Sequence, residues 1–136
     1  VTTTQRPFDG TVLLAPDDPR FFWPHSTFAG FPPCCGPGAE GDITEKAVPE
    51  TILGLNVSPA CWCHDWMQNY GPQTWQGFHH SNAVFLLNIL AINRVRGGWW
   101  PARQLRLLPI LSWYILVSSP VAAANYFRGV RTQGAP

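Results

Sequence analysis

A mainly α-helical fold with a long irregular N-terminal segment is predicted by three observations on this chain of 136 residues. Nine of its fourteen prolines lie between Pro7 and Pro59, with six of its twelve glycines, too many breakers for a long helix there. From Ser58 onward the chain runs in stretches nearly free of breakers, with apolar residues at helical spacing. Apolar residues make up 46% and charged residues 12%, which furnishes the core of one domain and excludes disorder.

Taken in order, residues 1–30 are expected to form an N-terminal arm of loops and extended pieces, with a short strand over TVLLA at 11–15. Residues 31–136 are expected to form a helical domain, entered through an ordered, acidic, glycine-containing loop at 36–49. Ser58 as N-cap and Pro59 at the first helical position predict a first helix over 59–70, stopped by Gly71 and Pro72. A second helix is predicted from about His80 or Ser81, with Val84, Phe85, Leu87, Ile89, Leu90 and Ile92 giving a broad apolar face. Gly97 and Gly98 close it, and Arg94 and Arg96 suit the negative end of its dipole. A third spans 102–117, where Pro109 should bend it or mark an early boundary, and a short fourth follows Pro120. The stretch from Leu107 to Ala124 carries no charge, but prolines and serines interrupt it. A spanning helix needs about 20 predominantly apolar residues, so a buried helix pair is expected instead.

Nine basic residues against eight acidic ones leave a net charge of +1, too little for the long-range attraction behind non-specific nucleic-acid binding. The four cysteines, Cys34, Cys35, Cys61 and Cys63, form two close pairs that suit either a metal site or disulfide halves. His64 and Asp65 are successive residues of the first predicted helix, about 100° apart around its axis. An imidazole that moves a proton and a carboxylate that holds a cation can therefore border one cleft. Upstream, the two glycines of Cys34-Cys35-Gly36-Pro37-Gly38 predict a tight loop that would expose backbone carbonyls, the donors that calcium takes together with a carboxylate. There is no Gly-x-Ser-x-Gly motif, and a single His-acid site suits a water nucleophile better than a triad. His79 and His80 are expected to be solvated, and His25 to sit in an aromatic cluster with Phe21, Phe22 and Trp23. Trp99 and Trp100, near Arg94, Arg96, Arg103 and Arg106, suit either a lipid-facing anchor or a buried loop between helices.

The stretches CGPGAEGDIT and SPACWCHDWM together resemble the phospholipase A2 superfamily, in particular its small bacterial and phage-encoded members. Cys35, Gly36 and Gly38 match the metal loop, while Cys61, His64 and Asp65 match the catalytic helix; the resemblance covers about residues 31–127. It implies two antiparallel helices carrying His64 and Asn82 beneath a calcium-type loop. Calcium would be held by the carbonyls of Cys34, Gly36 and Gly38 and by the Asp65 carboxylate. His64 would act as the base toward a water attacking the sn-2 ester of a glycerophospholipid, with the Gly36 N–H stabilising the oxyanion. A Cys35–Cys61 disulfide is likewise implied, as are a phospholipid or membrane-surface partner and a virion-associated or extracytoplasmic setting. Two positions depart from the family: Asn82 stands where an Asp orients the base, and Gln68 replaces a Tyr, with Tyr70 nearby. These departures support a rival expectation, a structural or attachment component of a phage particle or protein assembly, or a homo-oligomer, with weak or no activity.

Overall fold

The structure, a computed structural model, describes residues 2–31 and 52–128. Among the described residues it is mainly helical, with one two-stranded sheet and five helices. Strands β1 (Thr3–Phe8) and β2 (Thr11–Pro16) pair antiparallel in a register that runs from Thr3 opposite Pro16 to Phe8 opposite Thr11. The turn is Asp9-Gly10, both at positive φ (46° and 81°), the two-residue geometry whose twist matches that of a hairpin. Sequence reasoning anticipated β2 but not β1, whose polar, half-exposed TTQRPF lacks an apolar alternation.

Helix α1 (Ser58–Tyr70) begins one residue earlier than expected. Val57 occupies the cap without a side-chain bond, and Asn56 Oδ1 instead accepts from the Ser58 N–H at 2.9 Å. Ser58 is thus the first helical residue rather than the cap. Helix α2 (Trp75–Arg96) starts well before His80, because Thr74 caps it by accepting from the Gly77 N–H at 3.0 Å. Gly77 has no room for a side chain: an added Cβ would collide with the Pro72 carbonyl. The helix expected over 102–117 is two, α3 (Trp100–Leu105) and α4 (Leu107–Val117), broken at Arg106 rather than at Pro109. Pro109 sits in the first turn of α4, where its missing N–H costs no hydrogen bond. Helix α5 (Pro120–Phe127) follows, capped by Ser119.

The main core joins the hairpin to the helices: Phe8 and Leu13 pack in one cluster with Phe85 and Ile89 of α2 and with Ile110 and Trp113 of α4. Burying each such side chain contributes roughly 1.5–3 kcal/mol. Asn88 of α2 seals the outer edge of β2, its Oδ1 accepting from the Leu14 N–H (2.7 Å) and its Nδ2 donating to the Leu14 carbonyl (2.8 Å). The aromatic segment ahead of residue 31 packs as expected, with Phe21 edge-on to Trp66 at 5.6 Å and His25 edge-on to Phe31 at 5.1 Å. Arg106 is buried and donates to the carbonyls of Ile52, Leu53 and Gly97, tying the turn at 52–55 to the α2–α3 junction.

Candidate active site

The apolar residues of α1 and α2 zip the two helices together, and α2 turns back along α1 after residues 71–74. His64 thereby meets Asn82. Both are buried, at 4% and 0% exposure, and His64 Nε2 lies 2.7 Å from Asn82 Oδ1. Asn82 does not choose its orientation freely. Its Nδ2 donates to the Val117 carbonyl (3.1 Å) and to Ser118 Oγ (3.3 Å) at the end of α4, which turns the amide oxygen toward the ring. A carbonyl accepts only, so the network assigns the proton to Nε2 and leaves the lone pair on Nδ1. Gln68 Nε2 is 3.0 Å from the same ring nitrogen, but a protonated Nε2 has nothing to accept with. The Gln68 amide instead donates toward Asn82 Oδ1 over a long 3.5 Å.

At the other ring nitrogen, Nδ1 stands 4.0 Å from Asp65 Oδ1, and Asp65 is itself buried. The ring lies against Phe85, centroids 4.6 Å apart. Burial in this apolar wall disfavours the imidazolium and lowers the His64 pKa to about 4, although the hydrogen bond to Asn82 works in the opposite direction. His64 is therefore neutral at pH 7, oriented, and a weak base at Nδ1.

Of the expected metal ligands only Asp65 lies among the described residues; Cys34, Gly36 and Gly38, and with them the oxyanion donor Gly36, lie outside them. Cys61 is disulfide-bonded, and Cys63 is a free, fully buried thiol whose pKa burial pushes well up. Cys35, the pairing expected for Cys61, is outside the described residues. His79 and His80 are exposed, and Trp99 and Trp100 are 78% and 62% exposed, which removes the buried-loop alternative for the tryptophan pair. The Val117 carbonyl and Ser118 were not anticipated: they act on Asn82 from 35 and 36 residues away, and no local motif announces them. Comparison with protein-family profiles, curated proteins and solved structures found no match for this chain.

Proposed function

We propose that the protein is a phospholipase A2-like hydrolase of the sn-2 ester of glycerophospholipids, dependent on calcium. One observation carries this: a buried imidazole held in the Nε2–H tautomer by Asn82, with its basic Nδ1 facing the side of Asp65. Nδ1 takes the proton of the attacking water, and Asn82 keeps the ring in line as the charge arrives. A hard cation needs oxygen donors, and Asp65 offers a carboxylate beside the base; Cys34, Gly36 and Gly38 would complete the set with their carbonyls. Calcium bound there would polarise the ester carbonyl, and the Gly36 N–H would donate to the developing oxyanion.

The rival role, a structural component of a particle or assembly, draws support from the same site. The polar groups around Nε2 are neutral amides, and a base whose conjugate acid has a pKa of about 4 abstracts protons poorly. Fatty-acid release from mixed phospholipid vesicles, with calcium and with chelator, separates the two. Calcium-dependent release abolished by His64→Ala is the expected result; no release from folded, calcium-loaded protein leaves the structural role.

A further inference from the structure

Helices α3 to α5 do not form the buried pair that their composition suggests. Leu108, Leu111 and Ile115 recur at helical spacing on α4 and are 75%, 49% and 70% exposed, whereas Ile110, Trp113 and Val117 on the opposite side enter the core. Leu105, one helical turn before Leu108, is 68% exposed, Val121 of α5 is 48% exposed, and Trp99 and Trp100 at the start of α3 are 78% and 62% exposed. Monomeric proteins seldom leave so many large apolar groups together in water. Among the described residues no single helix is long and apolar enough to cross a membrane. The α3–α4 unit and α5 together have the length and apolarity of a span, but they are bent by 47° and bound to the core along one side. Such an element lies along a bilayer surface more readily than it crosses one.

Charge selects the occupant. All eight side-chain carboxylates fall at or before Asp65, whereas six of the nine basic residues, all arginines, come after it; Arg106 is engaged with buried backbone carbonyls and Arg96 faces Asp9 at 3.8 Å, which leaves Arg94, Arg103 and Arg128 among the described residues. Arg94 and Arg103 line one cavity of about 220 Å³ together with Trp100 and Leu107, so two guanidinium groups sit beside the exposed apolar residues. Arg128 is exposed just beyond α5. A second copy would bring two cationic faces together, while an anionic bilayer offers an apolar interior beneath a layer of phosphates. Tryptophan favours that boundary and arginine pairs with phosphate.

We propose that the outer face of α3–α5 docks onto anionic phospholipid bilayers, with Trp99, Trp100 and the α4 leucines entering the headgroup boundary and Arg94 and Arg103 holding lipid phosphate. This surface does not depend on the chemistry at His64. The full chain is floated with vesicles of phosphatidylcholine, pure or with about 30% phosphatidylglycerol, in chelator so that no hydrolysis intervenes. Partitioning is expected on the anionic vesicles, weakening roughly tenfold or more as salt rises or in pure phosphatidylcholine. Trp99→Ala with Trp100→Ala, and separately Leu111→Gln, should each lower it about tenfold, while Val12→Ser on the exposed hairpin leaves it unchanged. Arg94→Gln with Arg103→Gln should remove the preference for anionic lipid. Brominated acyl chains should quench tryptophan emission of the parent, a readout that needs no variant. Absence of binding to either vesicle overturns the proposal, as does binding indifferent to all three surface changes. So does sedimentation showing a dimer that Leu111→Gln dissociates while vesicles capture nothing, which would make the face a self-interface.

Discussion

Replacing Asn82 by aspartate changes two things at once, and the structure assigns a magnitude to each. A carboxylate at Oδ1, 2.7 Å from His64 Nε2, places a negative charge roughly 4 Å from the centre of an imidazolium. At an effective dielectric of about 20 that interaction is worth about 4 kcal/mol, or about 3 pKa units. His64, now held at about 4, should therefore titrate near neutrality in the Asn82→Asp protein. The second change is a cost. Asn82 Nδ2 donates to the Val117 carbonyl, and aspartate sets an oxygen against that oxygen, while Ser118 can rotate its hydroxyl to donate. The lost bond and the unsatisfied carbonyl should destabilise the fold by about 1–3 kcal/mol. Long-range nitrogen NMR across pH reads both the tautomer and the pKa of His64, and urea unfolding reads the cost. If the proposed hydrolysis operates, its acid limb should move from near pH 4 to near neutrality and the rate should rise about tenfold or more, since the imidazolium gains a facing charge. A parent His64 titrating near 6.5, an Nδ1–H tautomer, or a shift below about one unit in Asn82→Asp would refute this electrostatic coupling of residue 82 to the ring.

The depressed pKa of His64 also links stability to pH. The unfolded chain takes that proton near 6.5 and the folded one only near 4, so the unfolded state binds more protons in between. This contribution is complete above about pH 6.5 and is lost as pH falls toward 4, by up to about 3 kcal/mol; urea midpoints across that window should flatten in His64→Gln. Arg106→Met, which strips the buried carbonyls of Ile52, Leu53 and Gly97 of their donor, should cost about 3–5 kcal/mol, and Arg106→Lys should not restore it because one ammonium cannot span both sides. Cys63, buried and held as the thiol, should resist alkylation at pH 8 until the protein is unfolded; rapid labelling of native protein would contradict its burial. Thr11 Oγ1 is buried without a hydrogen-bond partner among the described residues, so Thr11→Val should raise the unfolding free energy by about 1 kcal/mol in denaturant titration.

Helices were legible in the sequence where breakers frame an apolar run. Pro59 and Gly71 bracket α1, Gly97 closes α2, and Pro120 opens α5, because these residues act on the backbone locally, whatever packs around them. Starts were harder than stops. Thr74 caps α2 ahead of Trp75-Gln76-Gly77, a first turn whose glycine and exposed residues look like loop, and the Asp9-Gly10 turn was the one local sign of a hairpin whose first strand is polar. The pairing of His64 with Asn82 was expected only through the resemblance, and packing of the two helices brings the side chains to 2.7 Å. What the sequence could not contain is direction and surroundings. The orientation of the Asn82 amide, and hence the tautomer of His64, comes from the Val117 carbonyl of a helix 35 residues further on. The depression of the His64 pKa comes from burial against Phe85, and the exposed face of α4 from packing that claims Ile110, Trp113 and Val117 and leaves Leu108, Leu111 and Ile115 outside. Composition counts apolar residues, but only the packed chain decides which of them lose their water, since burial depends on neighbours brought together from distant parts of the sequence.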